Sequence, residues 1–141
     1  MNQHLHLVTL GVKDFEKSKR FYTETLGWIP AAASGDDVTF IQAGGIVISI
    51  FPREKLAEDA LISPEGSGFS GITLAYNAQS EAEVDEIIAD LKSKGVTIAK
   101  EPQKVFWGGY SSYFADPDNY LWEVAYNPFF PFDEQGNLKL E

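Results

Sequence analysis

Two stretches 64 positions apart constrain the fold of this chain more than any other feature: "VTLGV" from Val8 and "ITLAY" from Ile72, aligned through Thr9 and Thr73. Each opens the same succession of elements. In the first half an apolar alternation from Leu5 to Val12 leads to Asp14, a residue suited to cap a helix N-terminus, then to "FEKSKRFYTETL" and to Gly27, where a helix would stop. Three apolar runs follow, "WIPAAA", "DVTFIQ" and "GIVISIF", separated by the turn sequences "SGD" and "AGG". In the second half "GITLAY" precedes a capping box of Ser80 and Glu83. A stripe of Val84, Ile87, Ile88 and Leu91 recurs at helical spacing and ends at Gly95. "VTIAK", "YSSYF" and "YLWEVAY" then read as three further strands. Both halves are β-α-β-β-β, so the spacing predicts an α+β chain made by internal duplication.

These signals set the modules at residues 1–51 and 71–126, with a connector over 52–70 and an apolar C-terminal strap over 127–141. The connector is longer than most loops inside a compact domain, and its "REKLAEDAL" portion has the composition of a short helix. At 141 residues the chain can bury a core without staples, and it has no Cys to build a disulfide or a thiolate site. Twenty-one acidic against eleven basic residues give a formal charge of −10, which repels phosphate backbones and anionic lipids, so neither nucleic acid nor a membrane is an expected partner. The opening segment "MNQHLHLVTLGV" lacks a basic region followed by a long apolar run, which predicts a cytoplasmic protein.

The module order, "GVKDFEKSKRFYTETLGW" after the first strand and "FADPDNYLWEV" into the last one, resembles the vicinal oxygen chelate superfamily. That group includes glyoxalase I, extradiol dioxygenases and the bleomycin and fosfomycin resistance proteins. The resemblance covers nearly the whole chain and implies curved mixed sheets around a central cavity, and a homodimer. In metal-using members four inward side chains, usually His, Glu, His or Gln, and Glu, hold a divalent ion. Carried onto this sequence, those positions fall on Leu7, Ser49, Gly71 and Glu123, and only the last keeps a carboxylate. A divalent ion needs three or four suitable ligands, which Leu and Gly cannot supply, so no metal cofactor is expected. His4 and His6 share a face of the first segment and could chelate, but strand alternation turns them away from Leu7 and Thr9, toward solvent.

Alternation points Thr9, Ser49, Thr73 and Glu123 toward the implied cavity. Three roles are open to Glu123: contact with a ligand amine or hydroxyl or acid-base work on it, a structural acceptor for Thr9, Thr73 or Ser49, or a metal ligand. In "VFWGGYSSYF", Gly108 and Gly109 free the backbone between Trp107 and Tyr110. The loop either sets a ring against a ligand or forms a strand-entry bulge whose rings pack on the core. Trp28, Trp122 and Tyr126 read as packing residues, and Asp116 to Asn119 as a turn. The expected function is metal-free binding of a small organic molecule, with Thr9, Ser49, Thr73, Trp107, Tyr110 and Glu123 as contacts. The alternative is a glyoxalase- or dioxygenase-type enzyme, lyase or oxidoreductase, with a displaced metal site or Glu123 as its acid or base.

Overall fold

The computed structural model describes residues 3, 5–61, 63–70 and 72–138. The chain divides into two units, between Ser67 and Gly68.

The first unit holds strand β1 (Leu7–Val12), helix α1 (Phe15–Arg20), β2 (Thr39–Ala43), β3 (Ile46–Pro52) and helix α2 (Arg53–Asp59). Asp14 caps α1 as its sequence suggests, its carboxylate accepting the Lys17 backbone N–H at 3.0 Å. The helix runs on through a π-helical turn, Phe21–Thr25. The sheet order is β1-β3-β2, with β1 parallel to β3 from Leu7↔Val47 to Val12↔Pro52, and β2 returning antiparallel to β3. "WIPAAA" does not form the strand expected of it. It touches the sheet only through a bridge between Pro30 and Ile41. Proline has no N–H for a ladder, and Ile29, at 84% exposed, buries nothing that would hold the run in place.

One face of this sheet is the core. Leu10, Val12, Ile41, Ile48 and Ile50 are buried there, as are Phe21 and Tyr22, and the fully buried Tyr22 ring meets Phe21 edge-on at 5.2 Å and lies 5.9 Å from Trp28. Thr39 breaks the apolar pattern: it is fully buried, and among the described residues its hydroxyl has no hydrogen-bond partner. A buried unsatisfied hydroxyl costs about 1–3 kcal/mol, so Thr39→Val, which keeps the shape, is expected to raise stability by about 1 kcal/mol in urea denaturation. A lower stability would mean that the hydroxyl makes a bond the valine loses.

The second unit holds β4 (Thr73–Ala78), α3 (Glu81–Ser93), β5 (Thr97–Lys104), β6 (Tyr110–Ala115) and β7 (Leu121–Tyr126) in the sheet order β4-β7-β6-β5. The duplication is visible in the pairing. In each unit the first strand lies parallel to the last, β1 beside β3 and β4 beside β7. Ser80 caps α3 by accepting the Glu83 N–H at 3.1 Å, and Glu83 reaches back to the Gln79 N–H at 2.7 Å, one residue earlier than the standard box. Val84, Ile88 and Leu91 form the buried stripe of α3, and Phe114, Trp122 and Val124 are buried on the sheet. Gly95, at φ +78°, ends the helix in the left-handed conformation that glycine adopts most readily.

The Asp116–Tyr120 turn feeds β7. The buried Asp116 carboxylate accepts the backbone N–H groups of Asp118 and Tyr120, both at 2.8 Å, and Asn119 takes the left-handed conformation at φ +64°. Beyond β7, Asp133 to Asn137 form a polar turn, in which the Asp133 carboxylate accepts from Gln135 and Asn137, inside a bridge between Phe132 and Leu138, and Phe129 stays largely exposed beside Gly108. No helix among the described residues is long and apolar enough to cross a membrane.

Candidate functional site

The face of the second sheet opposite Trp122 and Val124 carries the chemistry. Glu123, half-buried, stands in the middle of β7 with Ala75 of β4 directly beside it on one flank and Tyr113 of β6 on the other. Ala75 leaves room, while Tyr113 stands directly across the ladder from Glu123 on the same face. Burial, followed by the charge of Glu123, pushes the Tyr113 hydroxyl above its ordinary pKa. Tyr113 thus keeps its proton at neutral pH and is available as a donor beside the Glu123 carboxylate.

A cation completes the group. Lys100 on β5 donates to the Ser111 hydroxyl at 2.7 Å, and its ammonium lies 5.5 Å from the centre of the Tyr113 ring. Lys100 reaches this face because β5 is irregular. Its register against β6 shifts between Ile98 and Lys100 and again before Gln103, around Pro102, which can give the ladder no N–H. Ile98 pairs with Phe114 of the helix side, whereas Lys100 pairs with Tyr113. The Ser112 hydroxyl, donating to the Lys100 carbonyl at 2.9 Å, fixes the displaced backbone. The result is one ammonium, one carboxylate and two hydroxyls on neighbouring strands, able to recognise an oxyanion and a hydrogen-bond donor together.

The residues singled out from sequence fall in several places. Thr73 is exposed, on the same sheet as Glu123 but opposite Leu121. Thr9 and Ser49 belong to the first unit and pair with each other across β1 and β3, with Ser49 buried and Thr9 half-buried. Sequence offered Thr9, Thr73 or Ser49 as structural partners of Glu123; its neighbours across the ladder are Ala75 and Tyr113. Tyr110 takes the opposite face from Glu123: it shares the side of Ser112 and Phe114, and its hydroxyl donates to Asp85 of α3 at 2.9 Å. It is a strand-to-helix tie. Trp107 folds over its own turn, closed by the Val105 N–H to the Gly109 carbonyl at 3.0 Å. A Cβ at Gly109 would lie 1.6 Å from the indole, so the glycine is the seat of the ring. Sequence reading passed over Lys100, Ser111 and Tyr113. The signal available was a second tyrosine and a serine in "YSSYF" on the parity opposite Tyr110.

The raised tyrosines make a pH prediction. Tyr76 is raised by burial and by Glu83, Tyr110 by its hydrogen bond to Asp85, and Tyr113 as above. In the unfolded chain tyrosines lose their protons near pH 10, below the folded ones, so stability is full below that point and falls as pH rises through the folded pKa values. Urea midpoints are expected to drop as the pH rises above about 10, and less steeply in Tyr113→Phe. A flat profile would contradict the hydroxyl environments described.

The donor chemistry does not fit the superfamily's ion cage. Leu7, exposed on β1, and the Ser49 hydroxyl replace imidazole and carboxylate, while Gly71 and His4 lie outside the described residues. His6 is exposed, with its carbonyl engaged by the Val47 N–H at 2.9 Å. Among the described residues no three His, Cys, Asp or Glu side chains stand together as a metal site. A separate cleft of about 470 Å³ lies within the first unit, lined by Val12, Lys13, Pro52, Arg53, Glu54 and the 64–66 segment of the connector.

Known proteins resemble the sequence and fold over most of the chain. The family model for the Glyoxalase/Bleomycin resistance protein/Dioxygenase superfamily matches residues 4–124. The fosfomycin resistance protein FosX of Listeria monocytogenes is 34% identical over 123 residues, covering 83% of this chain and 84% of that protein. The uncharacterised protein YraH of Bacillus subtilis is 30% identical over 123 residues, covering 83% of this chain and 93% of its own length. The crystal structure of a glyoxalase-related enzyme from Fulvimarina pelagi superposes with a TM-score of 0.87 at 32% identity, covering 99% of both chains. Duplicated β-α-β topology, the Asp116–Tyr120 turn and these matches lead to one conclusion: the chain belongs to the glyoxalase/bleomycin resistance protein/dioxygenase superfamily.

Proposed function

We propose that this superfamily member binds a small organic molecule on the Glu123 face of its second sheet, without the superfamily's ion cage. The supporting observation is the pairing of Tyr113 with Glu123 beside Lys100 and Ser111. Two charges of opposite sign with hydroxyls between them suit a ligand that carries both an oxyanion and a hydroxyl or amine. The likeness to fosfomycin resistance proteins makes the small phosphonate fosfomycin the first ligand to test. A thermal-shift titration with chelator present is expected to raise the melting temperature saturably, by mass action. A homodimer in a reducing compartment accompanies this reading, and light scattering tests the dimer.

A second reading, a glyoxalase- or dioxygenase-type enzyme, draws on the same pair: Glu123 would take a proton from bound substrate while Tyr113 donates to it. Turnover of methylglyoxal-glutathione adduct or of catechol, lost in Glu123→Gln, would favour it over the binder.

A further inference from the structure

The cleft of the first unit has a chemistry of its own. Arg53 opens α2 and lines it, half-buried, with its Nε donating to the Pro64 carbonyl at 2.7 Å. That bond draws the connector over the cleft and holds the guanidinium plane in place. Gly66 borders the guanidinium, a Cβ there lying in ordinary contact, 3.6 Å, with the terminal Nη2. Among the described residues no carboxylate lies within ion-pair distance of Arg53. A guanidinium carries five N–H donors in a rigid fork, and the Pro64 carbonyl uses the Nε one. Most of the rotamer entropy a flexible arginine would lose on capturing an anion is already lost here.

The rest of the lining says which anion. Pro52 and Pro64, both part-exposed, offer apolar walls, and Glu54 and Glu65 stand on the same lining. Those two carboxylates offset the two cations, so a group with two full negative charges is disfavoured. A planar carboxylate with one charge matches the fork in a bidentate pair, and its organic body can lie on the two prolines. We propose that this cleft is a second, separate binding site that takes a small monocarboxylate, with Arg53 as the residue that grips it.

The test is a titration of the uniformly labelled full chain with benzoate, followed by NMR of the Val12, Arg53, Glu65 and Gly66 amides. Saturable shifts confined to these residues are expected at millimolar benzoate, with benzamide, the neutral analogue of the same shape, producing none. Arg53→Gln is expected to weaken the response at least tenfold, whereas Glu123→Gln leaves it unchanged, which separates this site from the one on the second sheet. Inorganic phosphate should bind at least tenfold more weakly than benzoate. The proposal is overturned if benzoate and benzamide act alike, if phosphate saturates the site and benzoate does not, or if no shift appears. Because benzamide is compared on the unaltered protein, a poorly folded Arg53→Gln variant does not rescue it.

Discussion

Replacing Trp122 with alanine will destabilise the protein by about 3–5 kcal/mol, the usual cost of truncating a fully packed tryptophan. Trp122 is buried in the middle of a four-stranded sheet, between Leu74 of β4 and Phe114 of β6 in the ladder. Its ring lies parallel to that of Phe114, with centroids 6.2 Å apart, on the face that carries the helix stripe. Alanine would leave a void that helix and sheet cannot both collapse into, and would remove the ring contact as well. Trp122→Phe keeps part of the volume and should cost less. Guanidinium denaturation measures both. A loss below about 1 kcal/mol for the alanine variant would show that this face is not packed as described.

The second large effect is on binding. Glu123→Gln is expected to leave folding nearly intact, because Glu123 is only half-buried and the amide keeps its shape and an acceptor oxygen toward Tyr113. It removes the charge a ligand amine or hydroxyl would use, and hydrogen bonds to charged groups contribute about 1.5–3 kcal/mol, or roughly 10- to 150-fold in affinity. Lys100→Met keeps the aliphatic stem over the Tyr113 ring but loses the ammonium that bonds Ser111. The same loss is expected for an oxyanionic ligand such as fosfomycin. Since Lys100 and Glu123 both engage Tyr113, the double variant should show coupling, its loss differing from the sum of the single ones by at least about 0.5 kcal/mol. Calorimetric titration gives all three values. Unchanged affinity in both single variants would remove this face from the ligand's path.

How much of this was legible in sequence depends on whether the cue was local. Asp14, Ser80 and the Asp116–Asn119 turn act within a few residues, and each does in the structure what its chemistry suggests. The α3 stripe was legible because a helix repeats its face every few residues. The parity of Thr9 with Ser49, and of Leu10 and Val12 with the buried face, followed from strict alternation along regular strands. Where alternation is broken, the reading stopped. Lys100 was missed because the ladder slips between Ile98 and Lys100, which turns its side chain to the face opposite the one counted from Ile98. Tyr113 was missed because its value lies in the cross-strand pair with Glu123, ten positions away in sequence, and pairing register is not a local property. Tyr110 was drawn into the candidate site by its neighbouring glycines, whereas its own parity carries it to Asp85. "WIPAAA" had a strand's apolar composition but also a proline and no surface to cover it.

The central claim is that recognition here rests on Glu123, Tyr113, Lys100 and Ser111 rather than on a caged ion. Titrating fosfomycin into chelator-treated wild-type and Glu123→Gln protein, with metal content determined on the same samples, tests it most directly. The account predicts saturable binding by metal-free wild type and at least tenfold weaker binding by the variant. Binding that vanishes on chelation and returns with one equivalent of a divalent ion would contradict it.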